Sequence, residues 1–152
     1  MPSSRWSVAV AVAVAAFLAA AEARAAGTCT ISSTPLAFGL YNALSTAPTD
    51  SAGVITFDCT VNPAPQISMS PGGGGSYNPR LMSSAGNTLA YNVYVDPART
   101  VVWDGTPITV PATGCTGQCG NGTQVSFYGR IFQLQDVAAG TYFDNLVVTI
   151  FF

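Results

Sequence analysis

The sequence predicts an all-β domain built as a sandwich of two sheets. After residue 25, no long stretch has apolar residues at the i, i+3, i+4, i+7 spacing of an amphipathic helix. Short runs rich in β-branched and aromatic residues occur instead, separated by clusters of Gly, Pro, Asn and Ser. These clusters recur at intervals of roughly ten residues, which is typical of two-sheet sandwiches.

Seven segments are predicted as strands, at 28–33, 54–61, 66–70, 89–95, 106–110, 124–133 and 142–152. The last is the most regular, because apolar and other residues alternate along it. One face carries Leu146, Val148, Ile150 and Phe152, and the other carries Asn145, Val147, Thr149 and Phe151. Because both faces are apolar near the end, we expect this strand to lie deep in a sheet.

The first 25 residues have the pattern of a secretory signal peptide. Arg5 supplies the positive charge, and residues 6–21 are uncharged and dominated by Val and Ala. Small residues then frame a cleavage site after Ala25 or, almost equally well, after Ala26. The alternative is a membrane anchor, but spanning a bilayer takes about 20 apolar residues. We therefore expect an exported protein whose mature domain is 26–152.

The charge pattern of residues 26–152 excludes several classes of function. The segment has three Arg, six Asp and no Lys, Glu or His, a net charge of −3. Such a chain cannot build the basic patch of a nucleic-acid binder. Without His it lacks the usual catalytic triads and most metal sites. Its Asp residues lie at turns and strand ends, where they usually form local hydrogen bonds. We expect no enzyme, no cofactor, no metal and no small-molecule substrate.

A run of four glycines and a set of four cysteines are two further features of the sequence. The run Gly72–Gly75 is not followed by the Lys that a phosphate-binding loop needs, so a flexible loop between strands is predicted. The four cysteines, Cys29, Cys59, Cys115 and Cys119, suggest two disulfides in an exported chain, with three possible connectivities. Cys29–Cys59 with Cys115–Cys119 is the simplest pairing. A metal site would need closer ligand pairs than this spacing provides.

An ordered set of motifs resembles the spore coat protein U domain, which is also the pilin domain of archaic chaperone–usher pili. Leu36–Tyr41 resembles the "FG-x-Y" opening of that family, and Val54–Cys59 resembles its second cysteine-bearing strand. The middle and closing blocks are similar at Arg80–Met82, Leu89–Tyr94, Asp96, Ala98–Arg99, Trp103–Gly105, Tyr128–Arg130 and Ala139–Asp144. The Cys115–Cys119 loop has no counterpart in this pattern, and its role stays open.

The resemblance implies an immunoglobulin-like sandwich that lacks one strand, leaving a groove along the last strand. A periplasmic chaperone would fill the groove first, and an outer-membrane usher would then exchange it for a strand from a neighbouring pilin subunit. The implied docking residues are Leu146, Val148, Ile150 and Phe152. The protein would pass through the periplasm to a surface pilus, or be secreted.

The expected length of the N-terminal extension predicts which position the subunit can occupy in a fibre. Cleavage after Ala25 would leave three residues ahead of Cys29, reaching about 10 Å, whereas a donor strand needs about ten residues. We therefore expect a subunit that accepts a strand without donating one, at a fibre terminus or tip. The alternative is a self-complete secreted spore-coat-like or adhesive protein of the same family. A third hypothesis is a carbohydrate-binding adhesin that uses exposed tyrosines, Trp103 or the Cys115–Cys119 loop.

Overall fold

The computed structural model describes residues 28–59, 65–110 and 119–151, which form eight strands in two antiparallel sheets. The strands are β1 (Cys29–Thr34), β2 (Thr49–Cys59), β3 (Gln66–Met69), β4 (Arg80–Ser84), β5 (Asn87–Tyr94), β6 (Ile108–Thr109), β7 (Cys119–Ile131) and β8 (Val148–Phe151). These ranges contain no helix, and so none that could cross a membrane. The predicted all-β, two-sheet architecture is confirmed.

The larger sheet has the order β1-β2-β7-β5-β4. Its centre is the long pairing of β2 with β7, from Thr49 opposite Ile131 to Cys59 opposite Cys119. Along β2, the buried positions alternate with more exposed ones, as the period of two in a strand requires. Its inward residues are Gly53, Ile55, Phe57 and Cys59.

The smaller sheet has the order β6-β3-β8, so β8 is an edge strand. Its central strand β3 turns Ile67 and Met69 towards the larger sheet, where both are buried. The core between the sheets contains Ile55, Phe57, Ile67, Met69, Met82, Leu89, Tyr91, Val93, Trp103, Val110, Phe127 and Ile131.

The end of the chain differs from the prediction. Strand structure begins at Val148 rather than at residue 142, and β8 pairs only with β3 within the described residues, so the expectation of a strand deep in a sheet is wrong. The reason is that the preceding segment crosses between the two sheets. Phe143 forms a two-hydrogen-bond bridge to Ser83 at the edge of the larger sheet, and Val147 accepts a backbone hydrogen bond from Ser70 beside β3.

The glycine-rich loop is held in place rather than free. The Gly73 N–H donates a 2.7 Å hydrogen bond to Asp144 Oδ1. A Cβ at Gly72, whose φ is +80°, would collide with the same carboxylate. Glycine is therefore required here by a close approach, and the prediction of a flexible loop is not supported.

The predicted disulfide between Cys29 and Cys59 is present and joins β1 to β2. The second predicted pair, Cys115–Cys119, lies outside the residues and side chains that the structure describes, as do Phe152 and the predicted signal peptide.

Candidate strand-docking groove

An open groove of about 910 Å³ lies between two walls of the sandwich. One wall is formed by residues 35–43, which we call the β1–β2 wall. The other is formed by residues 137–148, which we call the C-terminal wall. The floor is the core itself and includes Ile55, Met69, Met82, Leu89, Phe127 and Ile131.

The β1–β2 wall is held against the inner face of the larger sheet. Leu36 and Phe38 pack over Gly129, where an added Cβ would lie only 2.7 Å from Leu36 Cδ1 and 2.6 Å from Phe38 Cζ. Ser51 Oγ accepts a hydrogen bond from Ala37 N and donates one to Ala37 O. The absence of a side chain at Gly129 thus lets two apolar side chains approach the sheet.

A tyrosine fixes the far end of this wall. Tyr41 Oη donates to the carbonyl of Phe132 at 3.0 Å and accepts from the N–H of Gln135 at 2.8 Å. Because these partners follow β7, the wall is tied both to the end of that strand, at Gly129, and to the loop after it.

The C-terminal wall is fixed by a buried polar contact. Tyr91 Oη donates a 2.7 Å hydrogen bond to Asp144 Oδ2, and the second carboxylate oxygen accepts from Gly73 N. Burial is the main cause that raises the pKa of Tyr91 above its ordinary value, and the hydrogen bond to Asp144 adds to it. The Tyr91 hydroxyl thus acts as the hydrogen-bond donor of a fixed pair.

A buried arginine lies behind the groove. Arg80 is fully buried at the start of β4 and donates to the carbonyls of Trp103 at 2.7 Å and Ser70 at 3.2 Å. Burial lowers its pKa. Among the described residues, the hydrogen bonds of its two terminal nitrogens go to backbone carbonyls, and its buried Nε has no partner. Arg80 therefore joins the loops before β4 and after β5.

Among the strands that the structure describes, β8 pairs only with β3, so its other edge faces the groove without a partner strand. Val147 O accepts from Ser70 N at 2.8 Å, so position 147 points its backbone towards β3. In an antiparallel ladder this direction alternates from residue to residue. The N–H and C=O groups of Val148 and Ile150 therefore point away from β3, while their half-buried side chains pack against the core.

The structure brings together part of the predicted docking face. Leu146 and Val148 line the groove, Ile150 lies on the same face and packs against the core, and Phe152 is outside the described residues. Their docking role stays a prediction. The β1–β2 wall was not predicted as part of the site, although the alternation of Leu36 and Phe38 in the motif was a usable signal.

The carbohydrate-binding hypothesis loses one of its residues. Trp103 is 1% exposed and packs edge-on against Phe127, so it cannot stack on a sugar.

The groove is suited to holding an extended peptide segment. The backbone of such a segment would form hydrogen bonds with the free edge of β8, and every second side chain would enter the groove.

Comparisons with known proteins agree with this geometry. A family model of the Spore Coat Protein U domain matches residues 13–149. Among solved structures, the chain is similar to the CsuC–CsuE chaperone–tip adhesion subunit pre-assembly complex from archaic chaperone–usher Csu pili of Acinetobacter baumannii. The TM-score is 0.56 at 24% sequence identity, with 84% of this chain and 40% of that chain covered. The chain therefore spans less than half of the chain it matches. The likeness confirms the predicted immunoglobulin-like sandwich. A search of curated protein sequences finds no match.

Proposed function

Because the chain belongs to the Spore Coat Protein U domain family, we propose that it is an exported structural subunit of a chaperone–usher surface pilus, in which a partner's strand fills the groove. The observation that carries this proposal is the edge of β8 beside the apolar groove, which has no partner strand among the described residues. An exposed edge of this kind promotes aggregation unless another strand covers it.

The size of the apolar face supports a strand as the occupant. Burying an aliphatic side chain completely contributes about 1.5–3 kcal/mol. The groove-facing side chains of the last segment are each only partly buried: Leu146, Val148 and Ile150. A strand that docks along β8 would bury them further, so each would contribute part of that free energy to binding. Backbone hydrogen bonds to Val148 and Ile150 would add to it.

The proposed order of partners comes from the family to which the chain belongs. A periplasmic chaperone would cover the edge after export, and an usher would replace it with a strand from a neighbouring subunit. The similar Csu structure is itself a complex of a chaperone with a tip adhesion subunit, which supports the first step.

We place the subunit at a fibre terminus on the basis of the predicted signal cleavage. Removal of residues 1–25 would leave three residues ahead of β1, too few for a donor strand of about ten residues. The mass of the mature protein purified from its native cell measures this directly. A mature chain that retains ten or more residues ahead of Cys29 would contradict the terminal position.

The experiment for the function itself is a pull-down from the native periplasm. The affinity tag is inserted at the exposed Ala85–Gly86 turn, so that both termini stay free. The wild-type chain is compared with Val148→Asp, which puts a charge into the groove, and with the control Ser126→Asp on the exposed outer face of the larger sheet.

We expect a stoichiometric chaperone with the wild type and with Ser126→Asp, and none with Val148→Asp. A wild-type chain that elutes as a stable monomer without a partner would contradict the proposal, since the sandwich would then be self-complete.

A further inference from the structure

Three of the four cysteines lie in one row across the larger sheet. Cys29 of β1 is opposite Cys59 of β2, and Cys59 is opposite Cys119 of β7. Cys59 is therefore the middle member of the row, with a cysteine at the facing position of each neighbouring strand. Its disulfide partner in the structure is Cys29. The proposed function gives Cys119 no role.

An irregularity in the pairing of β2 with β7 produces this row. Up to Phe57, each step along β2 is matched by one step along β7, and Phe57 is opposite Thr123. Without a shift, the residue opposite Cys59 would be Asn121. The register shifts between Phe57 and Cys59, and the two extra residues of β7 bring Cys119 to the facing position instead.

The spacing of strands in a sheet decides which pairs of this row can form a disulfide. Facing residues of an antiparallel pair have Cα atoms about 4.5 or 5.5 Å apart, and a disulfide joins Cα atoms about 4.4–6.8 Å apart. The backbone positions of Cys59 and Cys119 meet this condition. Those of Cys29 and Cys119 do not, because two strand spacings of about 4.8 Å separate them.

The burial of Cys59 limits which thiols can reach its sulfur. Cys59 is fully buried in the core between the sheets, so a thiol in solution has no path to it. Thiol–disulfide exchange requires the attacking thiolate to reach the disulfide sulfur that it attacks. A thiolate supplied by the neighbouring strand would not have to enter from outside.

We propose that Cys59 exchanges its disulfide between Cys29 and Cys119 while Cys119 is a thiol. The Cys119 thiolate attacks the Cys59 sulfur, the Cys59–Cys119 bond forms, the Cys29–Cys59 bond breaks, and Cys29 leaves as a thiolate that takes up a proton. One disulfide is present before and after, so no oxidant or reductant is consumed. A disulfide between Cys115 and Cys119, the pair predicted from the sequence, would end the exchange by removing the attacking thiol.

The two pairings differ in the strand that they hold. The Cys29–Cys59 bond ties β1 to β2, and β1 pairs with no other strand among the described residues. The Cys59–Cys119 bond would leave β1, and the β1–β2 wall that directly follows it, without a covalent link to the sheet. Loop closure does not decide between the pairings, because a loop about twice as long changes the equilibrium only about threefold. The exchange thus fastens or releases one edge of the larger sheet.

The test uses the mature chain with Cys115→Ser, which leaves three cysteines and therefore one disulfide. The folded protein is incubated at about pH 8.5, where an ordinary cysteine thiol is about half ionised. Free thiols are then blocked with excess alkylating reagent, which stops the exchange. A parallel sample is incubated in concentrated urea, where the register of the strands is lost.

Proteolysis of the blocked protein distinguishes the three possible bonds by mass. Cleavage after Arg80 and Arg99 places Cys119 in a different fragment from the other two cysteines. Cleavage before Asp58 then separates those two from each other.

In the folded sample we expect both Cys29–Cys59 and Cys59–Cys119, in amounts within about tenfold of each other, and no Cys29–Cys119. The urea sample should contain all three bonds. The matched control carries Cys115→Ser, Cys119→Ser and Thr123→Cys, so its third thiol faces Phe57 instead of Cys59. Diagonal neighbours are about 7–8 Å apart, so the folded control should contain Cys29–Cys59 alone.

A second measurement needs no variant. The oxidised wild-type chain is treated under native conditions with a limiting amount of a small-molecule reductant and then alkylated. We expect Cys59–Cys119 to appear together with alkylated Cys29. The inference is overturned if Cys119 is alkylated and Cys59–Cys119 is absent from both folded samples. It is also overturned if folded samples contain as much Cys29–Cys119 as Cys59–Cys119, because the exchange would then occur in the unfolded chain. Neither result depends on whether a chaperone binds.

Discussion

Tyr91 Oη lies 2.7 Å from Asp144 Oδ2, and this hydrogen bond joins the middle of β5 to the segment that leads into β8. The same carboxylate accepts from Gly73 N at 2.7 Å and from Asn145 N at 2.8 Å. Three separate parts of the chain therefore meet at one side chain. Because Leu146 and Val148 follow directly, the contact fixes where the groove-lining residues of the C-terminal wall lie.

We expect Asp144→Ala to destabilise the fold more than Tyr91→Phe. The alanine variant leaves the buried Tyr91 hydroxyl and the Gly73 N–H without their acceptor, whereas the phenylalanine variant removes only one donor. A hydrogen bond to a charged group contributes about 1.5–3 kcal/mol, and an unsatisfied buried group costs about 1–3 kcal/mol in addition. Equilibrium urea unfolding of the oxidised chain measures both. Asp136→Ala, at an exposed position, is the control. Equal losses for the two groove variants would contradict this account.

We expect Gly129→Ala to displace the β1–β2 wall. The new methyl group would lie 2.6 Å from Phe38 Cζ and 2.7 Å from Leu36 Cδ1, so both side chains must move. Overpacking of this kind typically costs about 1–3 kcal/mol. Gly73→Ala is the matched control, because its added Cβ would lie 3.4 Å from its nearest neighbour, Asp144 Oδ1, which is an ordinary contact distance. Urea unfolding of both variants checks the difference, and a Gly129→Ala chain as stable as the control would contradict it.

The alternation of apolar residues along the sequence predicted most of the strands. The strand that was missed depends on contacts between residues that are distant in the sequence. β3, β5 and β7 were predicted because their apolar residues repeat every second position and face one core. β4 was missed. It begins with Arg80, a residue type that is rarely buried, and the carbonyls that accept its hydrogen bonds belong to Ser70, Tyr77 and Trp103.

Only one side of the groove was predicted, because the other side also depends on contacts between residues that are distant in the sequence. The apolar face that contains Leu146 and Val148 can be recognised from the alternation of residues within one short segment of the sequence. The opposite wall depends on the packing of Leu36 and Phe38 over Gly129, about ninety residues away in the chain. The alternation of Leu36 and Phe38 signals an apolar face, but a single sequence does not show which distant residue that face packs against. The edge position of β8 likewise depends on which strands pair, and the apolar pattern alone suggested a buried strand.

We expect removal of the Cys29–Cys59 disulfide to lower the free energy of unfolding of this domain substantially. The bond joins residues 30 positions apart, and the chain-entropy relation gives about 3–4 kcal/mol for a loop of this length. The Cys29→Ser, Cys59→Ser double variant should therefore unfold at a lower urea concentration than the oxidised wild type. The wild type treated with a reductant serves as a comparison. A double variant as stable as the oxidised protein would show that β1 is held by its pairing with β2 alone.

The Asp50 cluster predicts how stability changes in acid. Arg130 donates two hydrogen bonds to the Asp50 carboxylate, at 2.8 and 2.9 Å, and Arg99 lies 3.4 Å away. The hydrogen bonds from Arg130 are the main cause that lowers the pKa of Asp50 below its ordinary 3.8. Because the folded state holds this proton less tightly than the unfolded chain, the contribution is complete above the ordinary pKa and is lost as the pH falls through the lowered one.

We therefore expect the free energy of unfolding to fall as the pH drops below about 4, and Asp50→Asn to make that fall shallower. Arg130→Gln should have the same effect, since it removes the same hydrogen bonds from the other side. The pair is partly exposed, so the effect is modest and should shrink in high salt, where charges at a surface are screened. Urea unfolding at a series of pH values, with and without about 1 M NaCl, measures each of these. If Asp50→Asn leaves the acid dependence as steep as in the wild type, the cluster does not contribute to it, and the carboxylate of Asp96 becomes the main candidate. Its pKa is also lowered, chiefly by the hydrogen bond from Val101 N.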